Sequence, residues 1–399
     1  MIDHDVAPGK LDRCQITGST DLNLVIDLGF QAPCDSLPSK EMLDQPETTY
    51  PLRLFHCPES GLAQLDYVID GRVVYHPNYP YRSGISKPLE VYQRAFADGV
   101  VKKFGIEKGS LCVDIGSNDG TLLTGFQRNG MKVLGVEPTN IAKIAREENK
   151  VDTIQDFFTE KLAKDMVKEH GAAKVITMTN VFAHMAPLGE VMRGLVALLD
   201  KKGVFITESH YLLDVMEKNQ FDTIYHEHIR TYSIKSLVKL MPQYGLEVFD
   251  VDRAERYGGN IRAYVARKGA FPVAPVVGEL LDLEEKKGLH TKKAWDAFRQ
   301  RVHDQRDRMM DFVYDVRRQG KTIAGNSCPA RASTLLNFYG FNADIMPYIG
   351  ELPTSLKLNL FLPGAHIPIV NNERIRREQP DYLIILSWHF LEPIAQRLR

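Results

Sequence analysis

Leu111-Cys-Val-Asp-Ile-Gly-Ser-Asn-Asp-Gly-Thr-Leu-Leu123 is the most informative part of the chain. Its apolar start predicts a buried strand, Gly116 to Gly120 a tight turn at which backbone can approach a ligand, and the residues beyond a helix. The runs KVLGV, VDTI, KVITM and GVFIT follow, separated by segments of helical length, and that alternation predicts a parallel sheet with helices on both faces. GLEVFDV and NIRAYVAR then predict an antiparallel pair at the sheet edge. Upstream, Leu89, Tyr92, Phe96 and Val100 recur at helical spacing and predict an amphipathic helix. The fold class is therefore α/β, with a Rossmann-like domain over residues 86–268.

The sequence before that domain is turn-rich, with short apolar runs such as LNLVIDLGF and LRLFHC, and predicts a small β-rich domain over residues 1–85. After it comes a charged stretch with apolar residues at helical intervals. KTIAG, ARASTLLNFYG, DIMPYIGE, HIPIV and PDYLIIL then repeat the strand-helix alternation, and residues 269–399 are expected to form a second, smaller α/β domain. A chain of 399 residues is long enough for several cores. Its 50 basic and 51 acidic residues leave a formal charge of −1, which provides no global attraction to nucleic acid or anionic lipid. No cationic start precedes an apolar stretch, and no run is apolar for long enough to span a bilayer, so a cytoplasmic location is expected. Five dispersed cysteines argue for reduced thiols rather than a disulfide framework.

A dinucleotide site would show G-x-G-x-x-G, whereas Gly116-Ser117-Asn118-Asp119-Gly120 carries an acid that would repel a pyrophosphate. Asp119 and Asp114 suit the cationic methionine portion of S-adenosylmethionine instead. One strand later Glu137, followed by Pro138, stands where a carboxylate can accept hydrogen bonds from both ribose hydroxyls. Asp156 and Phe157 of QDFF are candidates for the adenine, and Asn180, Phe182 and His184 end the following strand, where ligand crevices lie. Farther on, Tyr225, His226, Glu227 and His228 crowd into one turn. They lack the helical two-His spacing of a zinc protease, so acid-base work is the better reading and no catalytic metal is expected.

From about Cys14 to Trp388 the chain resembles the sugar C-methyltransferases that act on nucleotide-linked keto-deoxyhexoses. The resemblance rests on C-x-x-T and C-x-x-S near the start, then NYPYRSGIS, DIGSNDGTLL, GVEP, NVFAH, FDTIYHEH, PARASTLL, LPGAHIPI and PDYLIILSW. It implies a cofactor held by the middle domain, with Tyr81 and Ser83 among its contacts, and a nucleotide sugar held largely by the C-terminal domain. It also implies methyl transfer to the carbon beside a sugar ketone through an enolate, in deoxysugar biosynthesis. His228 resembles the base, Tyr79, Tyr225 and Glu227 match other active-site positions, and His184 is a second candidate acid or base. Arg331, Ser333 and Thr334 follow a strand-to-helix turn suited to a diphosphate, with Lys357 and His366 as further candidates.

Members of that family usually bind a structural zinc with two C-x-x-C pairs, but here the pairs read Cys14-Gln-Ile-Thr17 and Cys57-Pro-Glu-Ser60. Neutral hydroxyls are poor zinc ligands, and two cysteines need help from Cys34 or His56 to complete a tetrahedron, so a metal-free module is expected. Two other functions share these motifs: O- or N-methylation on the same scaffold, and non-catalytic nucleotide-sugar binding.

Overall fold

The computed structural model describes residues 4–76, 79–85 and 87–398. Its largest sheet has seven strands: β1 (Leu111–Ile115), β2 (Lys132–Val136), β3 (Thr153–Ile154), β4 (Ala173–Thr179), β5 (Leu199–His210), β6 (Leu246–Ala254) and β7 (Asn260–Arg267). Their spatial order is β3-β2-β1-β4-β5-β7-β6. The first five are parallel, while β7 runs antiparallel to both β5 and β6. All five residues of β1 are buried, because helices such as Thr121–Arg128 and Leu188–Leu198 connect the parallel strands and cover the sheet. The order reverses between β1 and β4, which opens a crevice at the strands' C-terminal ends. The amphipathic helix predicted upstream spans Lys87–Phe104.

In the N-terminal part, strands Asn23–Gln31, Tyr50–His56 and Ala63–Leu65 form an antiparallel sheet. Its fourth strand is Arg230–Thr231, which follows the Tyr225–His228 turn and pairs Arg230 with Gln64. The Arg230 guanidinium, fully buried, donates to the Gln15 side chain and to the Met185 carbonyl. The sequence contains no sign of this crossing, because a two-residue strand has no periodicity to read.

The charged stretch forms helices Pro275–Lys286 and Lys292–Arg318. The second buries Trp295, Phe298 and Val302 and lies on the N-terminal sheet, where Arg299 Nε donates to the Val25 carbonyl at 2.7 Å. From the first, the buried Glu284 accepts the backbone N–H of Ile234 at 2.6 Å and the Tyr211 hydroxyl at 2.9 Å. The C-terminal part holds a four-stranded parallel sheet, Ile369–Asn371, Ile349–Glu351, Ile323–Asn326 and Tyr382–Ile385, with helix Ala330–Tyr339 after the third of these. No described helix is long and apolar enough to cross a membrane.

Candidate active site

At the end of β1, Gly116 has φ +70°, and a side chain there would place Cβ 2.5 Å from Val181 Cγ2. Both facts require glycine. Asn118, also at positive φ, clamps the preceding loop over the turn: its Oδ1 accepts the Ser83 N–H at 2.8 Å and its Nδ2 donates to the Tyr81 carbonyl at 3.2 Å. The buried Glu137 stands at the end of β2, beside the half-buried Pro138. Its carboxylate accepts N–H bonds from Asn118 and Thr139, each at 3.0 Å, and burial raises its pKa. Asp114 is buried within β1, accepts the Thr177 hydroxyl at 2.6 Å, and is pushed up to about 7 by burial. Ser117 is buried in the turn, while Asp156 and Phe157 lie at the surface beyond β3.

A glycine turn with an acid at the neighbouring strand end fits an adenosyl ligand, which Gly116, Asn118 and Glu137 would hold. We expect Gly116→Ala to weaken S-adenosylmethionine binding by about tenfold to a hundredfold, the equivalent of roughly 1–3 kcal/mol of backbone strain. Calorimetry checks this, and unchanged affinity would contradict the assignment.

Two cofactor expectations need correction. Asp119 does not face a ligand: it is fully buried, and its carboxylate accepts Arg82 Nε at 3.1 Å, the Gly84 N–H at 2.8 Å and the Thr121 hydroxyl at 2.6 Å. It anchors the 82–84 loop to the start of the following helix, so the electrostatic case for a cationic ligand falls on other groups. Phe182 is likewise core, stacked on Tyr232 at 5.2 Å and edge-on to Phe205.

Asn180, Ala183, His184, Ser209, His210 and His228 line a cleft at the ends of β4 and β5. His228 Nδ1 lies 2.6 Å from the Thr223 carbonyl, which can only accept, so Nδ1 carries the proton and Nε2 the lone pair. Burial lowers the pKa of His228 to about 4, and Tyr225 covers its ring at 3.9 Å. His184 Nδ1 meets the Tyr75 hydroxyl at 2.8 Å and lies 4.0 Å from Glu227. Glu227 is buried, accepting the Tyr79 hydroxyl at 3.0 Å and the Cys34 thiol at 3.3 Å. Burial, then Asp35, pushes it up to about 8. His226 points away from this group and bonds the Pro51 carbonyl.

The expected diphosphate residues are engaged within the protein. Arg331 lies 3.3 Å from Asp222 and over the Trp388 ring, and Thr334 donates to the Ile224 carbonyl at 2.9 Å. Ser333 is buried against Asn337, and His366 pairs with Glu47 at 3.2 Å. Lys357 is not a free cation: it is buried, 2.6 Å from Asp35 and 3.0 Å from the Cys328 carbonyl. These partners satisfy the groups because the C-terminal part packs directly on the N-terminal module and the Asp222–His228 segment.

Sequence reasoning missed Asp35, His210, Arg256, Tyr257 and His389, all of which border this region, and read Cys34, which also borders it, only as a possible zinc ligand. His210 was within reach of the strand-end rule applied to GVFIT, since it is the last residue of β5. The others arrive from distant segments. Cys34, Asp35 and Glu227 are close enough to suggest a cation site, yet the thiol bonds Glu227 and the Asp35 carboxylate pairs with Lys357, which leaves no free donor set.

In the N-terminal module the four zinc-position residues do converge, with Cys14 Sγ 3.1 Å from Ser60 Oγ and Cys57 Sγ 3.9 Å from Thr17 Oγ1. Thiol-hydroxyl pairs of this kind do not make a tetrahedral zinc site. Chelator treatment is expected to leave the melting temperature unchanged; stoichiometric zinc surviving dialysis in elemental analysis would overturn the metal-free reading.

Three family models match in series: "Putative zinc binding domain" over residues 14–75, "Methyltransferase domain" over 89–251 and "C-methyltransferase C-terminal domain" over 255–399. The C-methyltransferase NovU of Streptomyces niveus is 32% identical over 386 residues, covering 96% of this chain and 91% of that protein. The chain belongs to the C-methyltransferase family. It is an S-adenosylmethionine-dependent methyltransferase, and its seven-stranded sheet is the cofactor-binding fold. Among solved structures, a methyltransferase from Clostridium acetobutylicum is 12% identical with a TM-score of 0.37, covering 45% of this chain and 92% of that one. Magnesium protoporphyrin IX methyltransferase from Synechocystis with bound SAM is 14% identical with a TM-score of 0.34, covering 45% and 81%.

Proposed function

We propose that this C-methyltransferase acts on the carbon beside the ketone of a nucleotide-linked 4-keto-deoxysugar, through an enolate, in a cytoplasmic pathway of deoxysugar biosynthesis. The observation supporting this is the geometry around the cleft: His228 keeps its Nδ1–H on the Thr223 carbonyl and so offers an Nε2 lone pair, while Tyr79 and Glu227, bonded to each other, stand behind it with their pKa values raised by burial. A site for O-methylation needs a base for a hydroxyl alone, whereas C-methylation also needs neutral donors that stabilise a developing enolate.

The donor supplies an electrophilic methyl group when bound. Gly116, Asn118 and Glu137 bind it, with Tyr81 and Ser83 in the loop above. His228 takes the α-proton at Nε2, and its Nδ1–H stays on Thr223. Tyr225 packs on one face of the base. Glu227 and Tyr79, bonded to each other, hold the sugar's orientation, and His184 lies at their edge through Tyr75. We read the chain as domains 1–85, 86–268 and 269–399, the last providing the nucleotide's contacts.

The reading is tested by incubating the enzyme with 13C-methyl donor and a panel of nucleotide keto-hexoses. A product methyl resonance coupled to a sugar carbon is expected. A methoxy resonance would reject carbon transfer, and tight binding without turnover would revive the binding-protein alternative.

A further inference from the structure

His210 ends β5 inside the catalytic cleft, opposite Asn260 on β7. Its ring lies 5.1 Å from His228 and 6.1 Å from Tyr257. The other two cleft imidazoles each spend a ring nitrogen on the protein, His184 on Tyr75 and His228 on Thr223. Among the described residues, no protein group takes either ring nitrogen of His210. A partly buried imidazole whose nitrogens both remain available in a cleft is placed to bind a ligand.

We propose that His210 is a second catalytic residue, donating a ring N–H to the ketone oxygen of the substrate as the neighbouring carbon loses its proton to His228. The proposal rests on the enolate reading above and adds to it the identity of the electrophile. When His228 Nε2 takes the α-proton, the C–H electron pair becomes the carbon–carbon double bond and the carbonyl π pair moves onto oxygen. That oxygen gains negative charge and accepts the His210 hydrogen bond, with no proton transferred from His210. The spacing of the two rings suits adjacent atoms of one substrate, an acidic carbon on one side and its carbonyl on the other.

The environment of His210 suits a donor that stays neutral. Burial, followed by the positive potentials of His228, Arg331, His184 and His389, holds its pKa well below the ordinary imidazole range, so it keeps one N–H and one lone pair at neutral pH. A neutral donor is better matched to a transient enolate than a cation that would give up its proton. The competing cations are occupied: Arg331 pairs with Asp222, and Arg256 donates to the Tyr257 hydroxyl while lying over the Tyr92 ring. His228 itself is a weak base at a pKa of about 4, so proton removal depends on stabilisation at the oxygen.

The test is exchange of the substrate's α-proton for deuterium, followed by NMR in heavy water with the demethylated cofactor present and no methyl donor. His210→Phe removes the donor but fills the space, and is expected to slow exchange by roughly a hundredfold or more, as loss of one oxyanion donor does. Affinity for the demethylated cofactor should not change. His210→Gln retains an N–H and is expected to recover most of the lost rate. Wild-type exchange rates in His210→Phe would overturn the proposal, and so would a His210→Gln variant that melts normally yet is as slow as His210→Phe. Absence of exchange in the wild-type enzyme, with methylation intact, would instead remove the enolate reading and this proposal with it.

Discussion

Substituting His228 by Asn is expected to lower kcat by about two to four orders of magnitude, the usual contribution of a positioned general base. Asn can still donate to the Thr223 carbonyl, so the turn keeps its shape, but it has no lone pair to accept a proton. Donor binding, measured by calorimetry, should stay as it is, because the proposed cofactor contacts lie on Gly116, Asn118 and Glu137. The wild-type profile provides a second readout. Burial holds His228 near 4, so its neutral form is present above that pH, and kcat should fall as pH drops through about 4. That acid limb should vanish in His228→Asn. Full activity in the variant would shift the base to His184, whose Nδ1 is held by Tyr75.

The Lys357→Met variant is expected to lose roughly 3–5 kcal/mol of stability, because it leaves Asp35 buried without its counter-charge. Burial opposes the charge on Lys357, yet Asp35 outweighs it and holds the ammonium above its ordinary pKa. The double variant Asp35→Leu/Lys357→Met should recover much of that loss, since replacing a whole buried pair by apolar groups is often close to neutral. Urea denaturation of the single and double variants checks both statements. A single variant within about 1 kcal/mol of wild type would show that the pair is solvated, as surface pairs are.

The central sheet was legible because its strands carry continuous apolar runs and its turn a glycine pair. The edge pair also read correctly, since GLEVFDV and NIRAYVAR are long enough to show strand character. Candidate site residues were legible where titratable groups cluster locally, as in Tyr225 to His228, or stand at a predicted strand end, as Glu137 does; their roles remain part of the proposal. Asp119 misled because a carboxylate in a glycine turn reads the same whether it faces a ligand or an arginine of the neighbouring loop. Lys357 and Arg331 misled for a related reason: charge is visible in sequence, whereas a partner more than a hundred residues away is not. Asp35 gave no signal and Cys34 read only as a stand-in zinc ligand, as their placement depends on the N-terminal module folding against the 225–228 turn.

The two-residue strand at Arg230 has a practical corollary for anyone recombining relatives of this enzyme. Residues 225–231 belong to two folding units at once, lining the cleft of one and forming an edge of the other. A chimera that swaps only the amino-terminal module would pair a foreign sheet with a native hook. Parents of such chimeras should exchange the hook together with the module, or the proposed base His228 will lose its footing while the glycine turn at Gly116 stays intact.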